Sequence, residues 1–170
     1  LSEVFTNKIQ EGVIEQNELK SLKVVNLNES VIPLLAPVAD NLNTSFLIYN
    51  DLPIYVNRYV EGKFELGDSC VIICDVLSTG NDIIKCINNL TKKGLVVEQI
   101  VCLVNYQLGA FSDITNMDYN IKKVYDIVVM SEHFMNQKYY TSFEYSKIIN
   151  SVDCNEKLYK HIKLNKTKDK

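Results

Sequence analysis

Apolar positions along the chain alternate between helical and strand-like spacing. Leu1, Val4, Phe5, Ile9 and Val13 recur at helical intervals and predict a first helix with one buried face. Lys23 to Leu27 is a short β-branched run that predicts a buried strand. Val31 to Leu42 predicts a helix with Leu34, Leu35, Val38 and Leu42 on one side. Pro33 suits its first turn, whereas Pro37 is expected to shorten or kink it. Ser45 to Tyr49 predicts a second strand. Asn50 to Gly62 is polar, aromatic and proline-containing, has no period, and is expected to be a loop.

The middle of the chain carries the clearest pattern. Cys70 to Val76 is an apolar run with Asp75 near its end, followed by a small-residue turn from Leu77 to Asp82 that contains Gly80. Ile83, Ile84, Cys86, Ile87 and Leu90 then share a helical face, and Gly94 closes that helix as a left-handed cap. Val96 to Val104 predicts another buried strand and Lys122 to Met130 a further one, with a helix beginning over Ser131 to Asn136. Gln137 to Ser142 is expected to be a linker and Tyr145 to Leu164 a terminal helix. Apolar strands separated by helices imply βαβ units. The expected fold is therefore α/β, a mainly parallel sheet flanked by helices. Its strands should lie near Val24, Phe46, Val71, Val101 and Val124, with the Val71 strand central.

Composition narrows the function classes. A chain of 170 residues with 46% hydrophobic content can bury a core without disulfides or metal. A net charge of −3 gives no reason to expect nucleic-acid binding. The basic tail from Lys157 to Lys170 reads as a solvated helix end. The five cysteines (Cys70, Cys74, Cys86, Cys102 and Cys154) form no CxxC pair and mostly sit in apolar runs, which suits a reducing, cytoplasmic compartment. No apolar stretch approaches a membrane span, and Glu3 and Lys8 interrupt any signal peptide. His133 and His161 stand alone, so no metal site is expected. Tyrosines cluster at Tyr49, Tyr55 and Tyr59 and again at Tyr139, Tyr140 and Tyr145, as a partner surface or as half-buried packing.

A strand ending in an acid, then a small-residue turn and a helix N-terminus, outlines a phosphate site. Free backbone N–H groups and the helix dipole favour an anion there. Ser78 and Thr79 add hydroxyls, Gly80 lets the backbone approach, Asn81 and Asp82 follow at the helix start, and Asp75 can hold ribose hydroxyls. An ordinary βα turn with a Ser/Thr cap has the same spacing.

Val71 to Gly80 resembles the phosphoribosyl-diphosphate (PRPP) signature of type I phosphoribosyltransferases. Lys23 to Ile48, the stretch from Glu61-Gly62 through Leu66-Gly67-Asp68, and Val101 to Gly109 are similar to the orotate phosphoribosyltransferase domain of eukaryotic UMP synthase. Ser142-Phe143 and Lys157 to Lys166 resemble the linker and helix that follow that domain. The resemblance implies a phosphoribosyltransferase-like domain over 1–136 and a linker with a C-terminal helical segment over 137–170. It also implies a homodimer, and a PRPP site at Asp75, Ser78, Thr79, Gly80, Asn81 and Asp82.

The departures from the family bear on activity. Cys74 stands where the family has the first of two acids, and Asp82 stands where it has a Ser or Thr facing the 5′-phosphate. A carboxylate against a phosphate costs roughly 1–4 kcal/mol at contact distance. The mobile basic loop is represented by Tyr49 to Arg58, and Arg58 is its one cation. Asn105-Tyr106 replaces the Asp-Arg that helps hold orotate. Asn26-Leu27-Asn28-Glu29 replaces the small-residue diphosphate loop. The expectation is a catalytically inactive copy, a pseudoenzyme without cofactor, acting through protein contacts with itself or another protein. The alternative is a divergent enzyme making orotidine 5′-monophosphate from orotate and PRPP with Mg²⁺, with Arg58 as the clamp on the leaving diphosphate.

Overall fold

In the computed structural model, which describes residues 1–12, 22–51 and 59–168 with side chains as far as 157, the apolar runs become strands of one sheet. The strands are β1 (Lys23–Asn26), β2 (Ser45–Tyr49), β3 (Val60–Glu61), β4 (Ser69–Leu77), β5 (Val96–Asn105) and β6 (Asn120–Asp126). They lie in the order β3-β2-β1-β4-β5-β6. Every neighbouring pair is parallel except β2 and β3. This is the mainly parallel α/β sheet that the sequence predicts.

β4 is central because both of its faces are apolar. Cys70, Ile72 and Cys74 face one side and Val71 and Ile73 the other, all fully buried. Burying each isoleucine is worth about 1.5–3 kcal/mol. Helices α1 (Ser2–Gln10) and α2 (Ile32–Asn41) cover the Val71 face through Phe5, Ile9, Leu35 and Val38. Helices α3 (Asn81–Lys92) and α4 (Ala110–Thr115) cover the Ile72 face through Ile83, Cys86, Leu90 and Ile114. The chain runs from β1 outward to β2, then returns to β4 and proceeds the opposite way through β5 to β6. The order therefore reverses between β1 and β4, which is where open α/β sheets hold ligands.

Three local expectations are corrected. The strand expected to reach Met130 ends at Asp126, and α5 (Ile127–Asn136) follows at once. Asp126 pairs with Asn105, the last residue of β5, so residues beyond it have no ladder partner and their apolar run turns helical. Pro37 does not break α2, because it sits on the exposed face and its missing N–H leaves the buried stripe intact. The excursion after β2 contains β3, which is too short to leave a period in the sequence.

α6 (Ser142–Lys168) packs mainly on α5. Gly94 has φ +85°, the left-handed cap expected after α3. The tyrosine clusters differ from one another: Tyr49 is buried, whereas Tyr139 is 76% exposed. Among the described residues no helix is long and apolar enough to cross a membrane.

Candidate functional site

At the reversal point, the C-terminal ends of β1, β2 and β4 border a cleft of about 390 Å³. Leu27, Asn28, Glu29, Tyr49, Asn50, Asp51, Val76 and Asp82 line it. The loop leaving β1 is built on Asn26, a fully buried polar residue. Its side chain extends the sheet where the backbone ladder stops. Nδ2 donates to the Tyr49 carbonyl at 2.9 Å, and Oδ1 accepts from the Tyr49 N–H at 2.8 Å. Nδ2 also reaches the carbonyl of Asn28 at 3.3 Å, which sets the course of the next residues.

Those residues turn onto Asp75. Asn28 Nδ2 donates to Asp75 Oδ1 at 2.5 Å, and Ser30 Oγ donates to Oδ2 at 2.6 Å. Burial alone would raise the Asp75 carboxyl, but the donors Ser30, Asn28 and the Val76 N–H outweigh it and hold it below its ordinary value. Cys74, the neighbouring position, faces the core. It is buried beside Cys102, and their hydrogen bond together with burial pushes its thiol well up. Such a thiol is protonated and inert at neutral pH.

The turn after β4 has the outline of an anion site. Gly80 takes φ +75° and is the N-cap of α3, with no side chain capping the first turn. Ser78, Asn81 and Asp82 are exposed, Thr79 is half-buried, and Asn81 Nδ2 donates to Thr79 Oγ1 at 3.3 Å. The positive end of the α3 dipole attracts negative charge here, but Asp82 supplies a carboxylate in the first turn already.

Glu29, Asp51 and Asp82 give the cleft three acidic walls, and among the described residues none of its lining side chains is cationic. Lys85 stands nearby and pairs with Asp51 at 2.7 Å. That hydrogen bond holds the ammonium above its ordinary value. Both partners are largely exposed, so the pair contributes little to stability. Tyr49 closes the floor, its phenol pushed up by burial and accepting from Asn89 Nδ2 at 3.0 Å. No group of three or more His, Cys, Asp or Glu among the described residues is placed to hold a metal ion.

At the next strand end, Asn105 is buried and donates to Asp126 Oδ1 at 2.9 Å while accepting from the Gln107 N–H at 3.1 Å. Lys123 completes this group with a 2.8 Å pair to Asp126. Tyr106 follows, tied by its N–H to the Leu77 carbonyl.

The structure thus gathers Asp75, Ser78, Thr79, Gly80, Asn81 and Asp82 along one strand end and turn. Arg58 and most of its loop lie outside the described residues. The sequence reading missed Ser30 and Asp126. The Asn-Glu-Ser order after β1 was the available signal for Ser30; nothing local signals Asp126.

No protein-family model matches the chain. It is 28% identical over 92 residues to an orotate phosphoribosyltransferase of Thermoplasma acidophilum, an alignment covering 54% of this chain and 54% of that protein. The chain thus spans about half the length of this curated relative. Among solved structures, UMP synthase of Leishmania donovani superposes with a TM-score of 0.76 at 20% identity, over 89% of this chain and 32% of the other. Orotate phosphoribosyltransferase of Aeropyrum pernix superposes with a TM-score of 0.59 at 21% identity, over 81% of this chain and 75% of that one. The fold is that of the type I phosphoribosyltransferases.

Proposed function

We propose that this chain is a non-catalytic phosphoribosyltransferase-like domain that acts through protein contacts. The observation that carries the reading is the state of Asp75. The strand-end acid that would hold ribose hydroxyls spends both oxygens on Asn28 and Ser30. The acidic walls Glu29, Asp51 and Asp82 support it independently, because a diphosphate entering the cleft would meet like charge. Leaving-group stabilisation needs cations or aimed donors. Among the described residues, the cation beside the cleft is Lys85, and it is paired with Asp51.

The protein-contact role is supported by the surface around α5. Tyr125 and Val129 are exposed there and line one open groove with Met130 and Phe134, and exposed apolar patches mark interaction surfaces. As in the family resembled, a second copy of the chain is the default partner.

The second reading is a divergent orotate phosphoribosyltransferase. It draws on the similarity to curated orotate enzymes and on the Ser78-Thr79-Gly80 turn. PRPP with Mg²⁺ would then bind at that turn, and Arg58 would face the diphosphate. Calorimetric titration of PRPP with Mg²⁺ into the chain separates the readings. The first expects no saturable heat up to millimolar ligand, and a micromolar dissociation constant would favour the second.

A further inference from the structure

The contact that fills Asp75 is built as a device. Asn28 and Ser30 approach one carboxylate oxygen each, across 47 and 45 residues of sequence. The loop that carries them is held from behind. Asn26 is locked to the Tyr49 backbone and to the Asn28 carbonyl, and the Leu27 N–H is bonded to the Ile73 carbonyl at 2.9 Å. Ser30 Oγ also lies 3.1 Å from Asn28 Oδ1, so its single proton has two acceptors, of which Asp75 Oδ2 at 2.6 Å is the nearer. Two donors on the two oxygens of one carboxylate form the pattern that the vicinal hydroxyls of a ribose would present.

We propose that Asn28 and Ser30 are an autoinhibitory latch, occupying Asp75 in place of a vicinal diol, so that a ribosyl ligand reaches the carboxylate only when the loop between β1 and α2 releases it. The proposal rests on the reading of this cleft as the ligand crevice of the fold. The latch acts on hydroxyls, whereas Glu29, Asp51 and Asp82 act on phosphate, so the two barriers separate experimentally. Apparent affinity falls by the fraction of molecules with the latch open. The depressed Asp75 carboxyl agrees with a carboxylate satisfied by donors before any ligand arrives.

The test is titration of ribose 5-phosphate, followed by chemical-shift perturbation, into the wild-type chain and Asn28→Ala/Ser30→Ala. All forms keep Asp82 and the other acids, so their ratio reads the latch alone. The double variant should bind at least roughly tenfold tighter, since two charge-assisted hydrogen bonds no longer compete. 2-Deoxyribose 5-phosphate, which lacks one of the vicinal hydroxyls, should show no such gain. Adding Asp75→Asn to the double variant should abolish it. Equal affinity in wild type and double variant overturns the latch, and so does a gain that survives Asp75→Asn or extends to the deoxy sugar. Thermal melting checks the double variant for folding. If it fails, Ser30→Ala alone, at an exposed position, should still give a gain of roughly threefold, and Ser30→Thr, which keeps the hydroxyl, none. The proposed function fails on a different result, turnover of orotate and PRPP by the wild type, which leaves the variant ratio intact as a measure of the latch.

Discussion

Cys74 and Cys102 lie opposite one another on the parallel strands β4 and β5, both fully buried. The position where the resembled family has its first strand-end acid is thus a core position here. Asp75, one residue on, faces the other way, onto Asn28 and Ser30 of the loop that leaves β1.

Restoring the acid at this position should therefore damage the fold before it helps any ligand. Cys74→Asp places a carboxylate in the apolar cluster that holds Cys86 and Cys102, and should cost roughly 3 kcal/mol or more in urea unfolding at pH 7. Burial would raise the new carboxyl, so the cost should shrink as the pH falls toward that raised value. Cys74→Val should change stability by about 1 kcal/mol or less. A Cys74→Asp chain as stable as the wild type would show that this side chain can leave the core.

The latch should also appear in stability. Asn28→Ala/Ser30→Ala should lose about 1–2 kcal/mol at pH 7, with the Asp75 carboxyl moving back up. Because the folded carboxyl lies below its ordinary 3.8, its contribution is full above that value. It is lost as the pH falls through the lower, folded value. Denaturation curves of wild type and variant should accordingly converge in acid and differ above pH 5. A gap that is constant with pH would remove Asp75 from the explanation.

Asn105 tests the second strand end. Asn105→Asp, which restores the acid of the resembled pair, sets two carboxylates face to face where Asn105 now donates to Asp126. Lys123 offsets part of the repulsion, so the expected loss is about 1–3 kcal/mol at pH 7. Repulsion raises a carboxyl, so acidification should recover the loss. Asp126→Asn in the same chain should restore most of the stability at neutral pH.

Gly80 and Gly67 separate backbone strain from crowding. Both have positive φ, +75° and +91°, but a Cβ on Gly80 would lie 3.0 Å from Ala110 Cβ, whereas one on Gly67 would meet nothing within 4 Å. Each alanine substitution should cost about 1–2 kcal/mol for the left-handed backbone. Gly80→Ala should lose more than Gly67→Ala, because α4 must also move. Equal melting temperatures for the two variants would show that α4 yields without cost.

Much of this architecture was legible because burial on both faces leaves a continuous apolar run, as at Cys70 to Cys74, and because Gly80 and Gly94 mark the two ends of α3. The boundary between β6 and α5 was not legible: Ile127 to Met130 has strand composition, and only the end of β5 at Asn105 stops the ladder. β3 and α4 are too short to show a period. At the site, Asp75 and its turn could be read from order along the chain. The contacts that redefine them, Ser30 to Asp75 and Asn105 to Asp126, join distant segments and follow no local spacing.

The central claim is the absence of turnover, and one assay addresses it directly. The wild-type chain is incubated with orotate, PRPP and Mg²⁺, and orotidine 5′-monophosphate is quantified by chromatography against a protein-free blank. The account predicts product formation no faster than the blank. Product at an ordinary enzymatic rate, about 1 s⁻¹ or more per chain, would contradict it and establish the divergent enzyme instead.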